Sequence, residues 1–320
     1  MRLSRRAMLA APLPTLAQGF PARPITLVIP FTPGGIVDTL GRIMAERAQR
    51  GLGQPITIDN RPGAGSAVGN AHVTAARPDG YTMLAGGIGL AIIPHLQPGL
   101  EPRDPLTQLA PIAMHSSTPY ILHVRRSIPA RNLAEFITWA RGRGSELNAA
   151  TSGVGSGVHL TWELFRRRAA LMEGEVVHFR GGIPAITEIV AGRADFTWGT
   201  ALEAIQAMRA NQTRPIAVTS EQRIAALPDL PTVAESGFPG FSVLSFAGWF
   251  APAGTPAEPR LRIAEALQAG MRDPELHAQL ADLGITPRFL PAEGLAQVLE
   301  TELTRWGRLI REAGIRAEGL

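Results

Sequence analysis

The stretch Ile25–Asp38 limits the possible folds more than any other part of this chain. Ile25-Thr26-Leu27-Val28-Ile29 is a short, β-branched apolar run, the pattern of a strand covered on both faces. Pro30-Phe31-Thr32-Pro33-Gly34-Gly35 follows. Ile36, Leu40, Ile43 and Met44 then recur at helical spacing, with Asp38 in the first turn, where the positive end of the macrodipole favours a carboxylate. A buried strand that turns through two glycines into an amphipathic helix is the βα unit of a layered α/β domain. Glycines there allow backbone N–H groups to approach a ligand closely, and a helix start supplies N–H groups without intrahelical partners. Glycine also has purely conformational uses, so this stretch alone is compatible with a plain turn or with half of an anion site.

The same alternation continues along the chain. A second strand is expected over Pro55–Asp59, a glycine-rich loop over Asn60–Ser66, a small-residue helix to Ala76, and a third strand over Tyr81–Ala85. Gly86-Gly87-Ile88-Gly89 opens a short apolar segment to Leu96, and a proline-rich crossing runs from Pro98 to Pro111. From Tyr120 the pattern restarts, with a strand to Val124 and a helix whose Asn132 and Glu135 form a capping-box signature. The strand Leu147–Thr151 runs into Ser152-Gly153-Val154-Gly155-Ser156-Gly157-Val158-His159, the counterpart of the opening turn. Val176–Phe179 ends in Arg180-Gly181-Gly182, Ala194–Trp198 and Pro215–Thr219 are further strands, and Phe246–Ala251 is another. Thr255-Pro256-Ala257-Glu258 reads as a helix start, Asp273-Pro274 as another, and a final helix over Pro291–Gly314 carries Leu295, Leu299, Leu303, Trp306 and Ile310 as its apolar stripe.

This order predicts an α/β chain of two lobes, each a mostly parallel sheet flanked by helices, with ligands at the carboxyl ends of the strands. Lobe one is assigned to residues 20–119 and 246–320, and lobe two to 120–245. Glycine-rich strand ends occur in both lobes, so a cleft between them is the expected binding place. The candidate ligand contacts of the first lobe are Phe31, Thr32, Gly34, Gly35, Asp38, Gly87 and Gly89. In the second lobe they are Ser152, Gly153, Gly155, Ser156, His159, Arg180, Gly181 and Asp195.

Composition narrows the partners. All 31 basic residues are Arg, and Arg2, Arg5 and Arg6 belong to an N-terminal segment, residues 1–19, that reads as an export signal by either the twin-arginine or the general route. Without that segment 28 Arg face 27 acidic residues, which gives no basic face for nucleic acid. There is no cysteine, so disulfides and thiol chemistry are excluded. The absence of lysine excludes a Walker P-loop, and the seven histidines lack metal-ligand spacing, so neither metal nor cofactor is expected. Gly63-Ala64-Gly65-Ser66-Ala67-Val68-Gly69 departs from the dinucleotide fingerprint in spacing and is read as a packing feature, with a dinucleotide-dependent oxidoreductase as a remote alternative. Ser156 and His159 could share the first turn of a helix, and an exported serine hydrolase is the alternative function. No nucleophile elbow surrounds either serine, and no carboxylate is visibly placed to orient the histidine, so no catalytic residue is assigned.

Seven ordered stretches carry a family resemblance. They are Arg23-Pro24-Ile25, Pro30–Gly35 with Asp38, Asn60–Gly65, Pro78-Asp79-Gly80-Tyr81-Thr82, Ser152–Ser156 with His159-Leu160, Pro231–Gly237 and Ala251–Pro256. Together they resemble Bug-type receptors, the extracytoplasmic solute-binding components of tripartite tricarboxylate transporters. The resemblance implies a periplasmic, Venus-flytrap binding protein, expected as a monomer, that takes a small carboxylate between its lobes and presents it to a membrane permease. It also implies that backbone N–H groups of the strand-to-helix loops hold the carboxylate. Departures at Ile88, Gly89, Leu90, Gly199 and Ala247 imply a roomier, less polar site suited to a monocarboxylate or aromatic carboxylate rather than citrate. Arg180 retains the cation of its loop.

Overall fold

A computed structural model of the chain describes residues 19–317, so the expected export signal, apart from Gly19, falls outside the described residues. The first elements are β1 (Ile25–Ile29), α1 (Ile36–Leu52), β2 (Ile56–Asn60), α2 (Ala67–Thr74), β3 (Thr82–Gly87), α3 (Gly89–Leu96) and the short α4 (Pro105–Gln108). A 17-residue strand, β4 (Leu109–Arg125), follows. After it come α5 (Leu133–Arg143), β5 (Asn148–Thr151), α6 (Gly157–Arg168), β6 (Glu175–His178), α7 (Gly182–Val190), β7 (Phe196–Thr200), α8 (Ala201–Arg209) and β8 (Thr213–Val218). The chain closes with β9 (Leu244–Pro252), α9 (Ala257–Gly270), α10 (Pro274–Asp282), β10 (Thr286–Pro291) and α11 (Ala292–Ala313).

The strands form a continuous mixed sheet in the order β2-β1-β3-β9-β4-β7-β5-β6, with β8 and β10 also paired to β4. β4 changes partners along its length. Leu109–Pro119 pairs with β9, and Ala113–Ser117 with β10 on the other side; Tyr120–Val124 pairs with β7, and Ile121–Arg125 with β8. Pro119 and Tyr120, between which the sequence reading divides the lobes, are therefore consecutive residues of one strand.

The sequence reading took only Tyr120–Val124 as strand here. The polar run His115-Ser116-Ser117-Thr118 and the two prolines hide the rest, although all four polar residues are buried. Pro111 lies at a register shift of the ladder, where a bulge removes the need for its missing N–H. Parallel pairing holds for β2-β1-β3 and for β7-β5-β6, whereas every pairing with β4, and that of β3 with β9, is antiparallel. β10 lay between two helix starts and carries two prolines, which concealed it.

Strand direction decides where the glycine turns point. β1 and β3 run with β4, and β5, β6 and β7 run against it. The carboxyl ends of β1 and β3 therefore aim toward the β7-β5-β6 half, and those of β5, β6 and β7 aim back toward the first.

Helices cover both faces. α9 packs on α1 so closely that a Cβ on Gly51 would lie 3.3 Å from the Ala266 Cβ. Between them and the sheet, Trp249 of β9 is fully buried with Ile29, Met44 and Ile263. On the opposite face α11 lays Leu295, Leu299 and Trp306 against Phe246 and Phe250, and Gly248 leaves the space that Leu295 fills. Thr255 does not cap α9: its hydroxyl donates to the Pro252 carbonyl at 2.7 Å. Among the described residues no helix is long and apolar enough to cross a membrane. Trp249→Ala should cost about 3–5 kcal/mol of unfolding free energy, read from urea titration, with far-UV circular dichroism unchanged before the transition.

Candidate functional site

In the first half, the turn after β1 opens onto free space. Gly34 has φ +93°, and a Cβ on Gly34 or Gly35 would meet no atom within 4 Å. Gly35 is the N-cap of α1 and supplies no side-chain cap, so the first N–H groups of that helix face outward without one. Thr32 is exposed and Phe31 half-buried. The Phe31 carbonyl accepts from Asn60 Nδ2 at 3.0 Å.

Asp38, a candidate contact, is instead occupied within the protein. Its carboxylate accepts from the Gly34 N–H at 3.0 Å, Arg42 Nε at 3.0 Å and Asn60 Nδ2 at 2.9 Å. Burial pushes its pKa up, but the hydrogen bonds from Arg42, Gly34 and Asn60 outweigh this and hold the carboxyl below its usual value. Asp38 thus fixes the shape of the turn. Gly87, the last residue of β3, and Gly89, the first of α3, are shaped by close packing. A Cβ on Gly87 would lie 3.0 Å from the Phe246 carbonyl, and one on Gly89 would lie 3.3 Å from Ser66 Oγ.

In the second half, the turn after β5 runs through Ser152, Gly153 at φ +125° and Gly155 at φ +70° into α6. Ser156 caps that helix, its Oγ accepting from the His159 backbone N–H at 3.2 Å. The His159 imidazole is engaged elsewhere. Nδ1 accepts from the Gly155 N–H at 3.0 Å, Nε2 lies 3.8 Å from Glu163 Oε1, and the ring stands edge-on to His178. Burial, then the charges of His178 and Arg166, push its pKa down to about 3, so the ring is neutral. The contact between Ser156 and His159 is hydroxyl to backbone, not hydroxyl to imidazole, so the pair forms no nucleophile and base.

Gly155 was expected to present open backbone to a ligand. A Cβ there would collide with the Leu96 side chain, and one on Gly157 would collide with the Tyr120 hydroxyl. Gly155 is glycine because α3 of the first half presses against the turn, and Gly157, at the start of α6, makes room for Tyr120 of β4. The loop after β6 is freer. Arg180 is exposed and has no hydrogen-bond or ion-pair partner among the described residues. Gly181, at φ +117°, caps α7 without a side-chain bond. Gly153 and Phe179 bring the two loops together, a Cβ on the glycine lying 3.6 Å from the Phe179 carbonyl.

Asp195 is not brought to this edge. It precedes β7 at the amino end of that strand, where it accepts from Arg125 Nη2 at 3.1 Å and from the Asn148 N–H at 3.0 Å. The expected room at Gly199 is also filled: a Cβ there would lie 2.5 Å from His123 Nε2. Ile88 is buried beside Gly157 rather than lining open space. Gly69 of the glycine-rich segment packs against Pro30 and the Arg61 carbonyl, the close helix approach read from the sequence.

The sequence reading missed Glu203. Its signal was the Thr200-Ala201-Leu202-Glu203 capping box at the carboxyl end of β7. A cavity of about 320 Å³ lies beneath α11, lined by Met114, Phe246, Arg288 and Glu302 among others, and none of the glycine turns contributes to it.

The sequence pattern of the tripartite tricarboxylate transporter family receptors matches residues 40–315. The chain belongs to that family. A UPF0065 protein encoded between tcbD and tcbE in Pseudomonas sp. strain P51 is 34% identical, over 93% of this chain and 88% of that protein. The receptor fold is the same in the solved periplasmic binding protein BugD, at 29% identity and a TM-score of 0.82, covering 93% of this chain and 99% of that one. It recurs in Rhodopseudomonas palustris Rpa4515 with adipate, at 32% identity and a TM-score of 0.86, covering 93% of this chain and 99% of that one. These relatives bear out the α/β, two-lobed binding-protein fold and the Bug-type resemblance.

Two expected outcomes follow from the packing. Gly155→Ala should lower stability by about 1–3 kcal/mol because of its positive φ and the Leu96 collision, whereas Gly35→Ala should change it by less than about 1 kcal/mol; thermal denaturation of the two receptor variants reads the contrast. His115, His123 and His159 all have pKa values pushed down to about 3 by burial. Below about pH 6.5 the unfolded chain binds protons that the folded chain does not, so stability falls as pH drops from there toward 3. Urea denaturation at pH 7.5 and 5.5 should give a lower unfolding free energy at pH 5.5, and an equal or higher value there would contradict neutral buried histidines.

Proposed function

We propose that this receptor captures a small carboxylate in the cleft between its two halves and delivers it to the membrane subunits of a tripartite transporter. The observation that carries this reading is the opposition of two turns. The uncapped start of α1 behind Gly34-Gly35 aims at the second half, and the Arg180-Gly181-Gly182 loop at the uncapped start of α7 aims back. Helix starts without side-chain caps favour an anion, and Arg180 is a cation with no partner among the described residues. The adipate bound to the related Rpa4515 supports a carboxylate as the ligand class.

The lobes are taken as 20–119 with 246–320, and 120–245, and closure as a rotation about β4, the strand that pairs in both halves, with the chain's return into β9 as the second crossing. Phe31, Thr32, Gly34 and Gly35 form one side of the site, and Ser152, Gly153, Arg180 and Gly181 the other. Gly87, Gly89, Gly155, Ser156, Asp38 and His159 shape those turns from behind. The carboxylate is small, because the space expected at Gly199 is filled by His123 and the turns themselves supply the contacts. The receptor binds without turnover, works as a monomer in the periplasm, and reaches it through the N-terminal signal.

Isothermal titration calorimetry with a panel of small carboxylates tests the site. Gly35→Asp should abolish binding, through repulsion of the anion at the start of α1, while leaving the melting temperature near that of the unmodified receptor. Binding undiminished in Gly35→Asp would move the site elsewhere.

A further inference from the structure

Glu203 stands in the first turn of α8, immediately after the carboxyl end of β7. That end belongs to the same edge of the sheet as the Ser152–Ser156 turn after β5 and the Arg180–Gly182 loop after β6. The Glu203 side chain reaches toward this loop: a Cβ on Gly182 would collide with the Glu203 carboxylate. One oxygen, Oε2, accepts from the Thr200 N–H at 3.1 Å and the Thr200 hydroxyl at 2.9 Å. Oε1 has no hydrogen-bond partner among the described residues and is not among the side-chain atoms sealed from solvent.

No cation among the described residues meets this carboxyl. Burial raises its pKa, the Thr200 bonds lower it, and no arginine or histidine contributes. Glu203 is half-buried, and its Oε1 reaches the surface of the second half with no arginine of the described residues paired to it. Arg180, two residues before Gly182, has no partner either and makes no ion pair with Glu203. Among the described residues, the cleft edge of the second half thus carries a cation, Arg180, and a carboxyl oxygen, Glu203 Oε1, without partners, and the uncapped α1 start is directed toward this half from the first. That distribution complements a zwitterion. The carboxylate of such a ligand has the α1 start and Arg180, and its ammonium has Glu203. A second carboxylate in the ammonium's place would meet a like charge across a partly dehydrated gap.

Resting on the carboxylate function proposed above, we infer that Glu203 is a specificity-determining residue and that the ligand of this receptor is an amino carboxylate rather than a dicarboxylate. Glu203 accepts the ligand's ammonium through Oε1 while Oε2 keeps the cap of α8.

Calorimetry on the intact protein and on Glu203→Gln decides this, using length-matched pairs: succinate with 4-aminobutyrate, and adipate with 6-aminohexanoate. Glutamine keeps an acceptor for Thr200 and removes the charge. The expected result is that the unmodified receptor prefers at least one amino carboxylate over its dicarboxylate partner by about tenfold or more, and that Glu203→Gln removes most of that preference. A receptor that prefers the dicarboxylates overturns the inference. So does a Glu203→Gln variant with an unchanged preference and only a lower melting temperature, which would reduce Glu203 to a helix cap. If the receptor binds neither series, the carboxylate function itself fails and takes this inference with it.

Discussion

The backbone ladder along β4 is the constraint on which the rest of the molecule depends. A strand offers hydrogen bonds on two sides, and β4 uses both sides twice: with β9 and β10 up to Pro119, and with β7 and β8 from Tyr120 on. A single extended backbone thereby transmits its direction from one half to the other. Because β1 and β3 run with it and β5, β6 and β7 against it, the two sets of strand ends must face each other across the step. No interaction between the halves has to be strong for this to hold, since the opposition of the turns is a consequence of strand polarity.

Around that opposition the protein spends its polar side chains on shaping the turns. Asp38 is consumed by Gly34, Arg42 and Asn60; Ser156 and His159 are consumed by the backbone of their own turn. Each removes an alternative conformation from a glycine-rich segment that would otherwise have many, at the entropic cost that ordering glycine carries. On the reading proposed above, backbone N–H groups at two helix starts, the Arg180 cation and the spare oxygen of Glu203 are what a ligand would meet. Fixed dipoles of this kind need no reorganisation when an anion arrives, which suits a receptor that must bind and then release.

The strands before turns were legible because β-branched runs bounded by glycine and proline leave few options, and β1 and the start of α1 match their expected limits. The capping signal of Asn132 with Glu135 was equally direct, with the Asn132 side chain accepting from the Glu135 N–H. Long-range burial was not legible. His115, Ser116, Ser117 and Thr118 look like a surface loop, yet they are buried because β9 and β10 flank them. The glycine signal was ambiguous for the same reason: Gly35 is glycine with open space around it, and Gly155 is glycine because Leu96 fills the space. Nothing local distinguishes the two. Asp195 shows the converse, a carboxylate close to a predicted strand but at its wrong end, where Arg125 neutralises it.

Sequence by itself determined the alternation of strands and helices, the glycine turns that end the strands, and through ordered motifs the family to which the chain belongs. Those properties reside in residue periodicity and in φ preferences, which are set within a few positions of each other. Tertiary structure alone decided which turns are open and which are packed, that Asp38 and His159 serve the turns rather than facing outward, and that Glu203 comes to lie against Gly182 without a cation. Those outcomes depend on strands and turns brought together from tens to more than a hundred residues apart, and side-chain accessibility is fixed only when the neighbouring strands are in place.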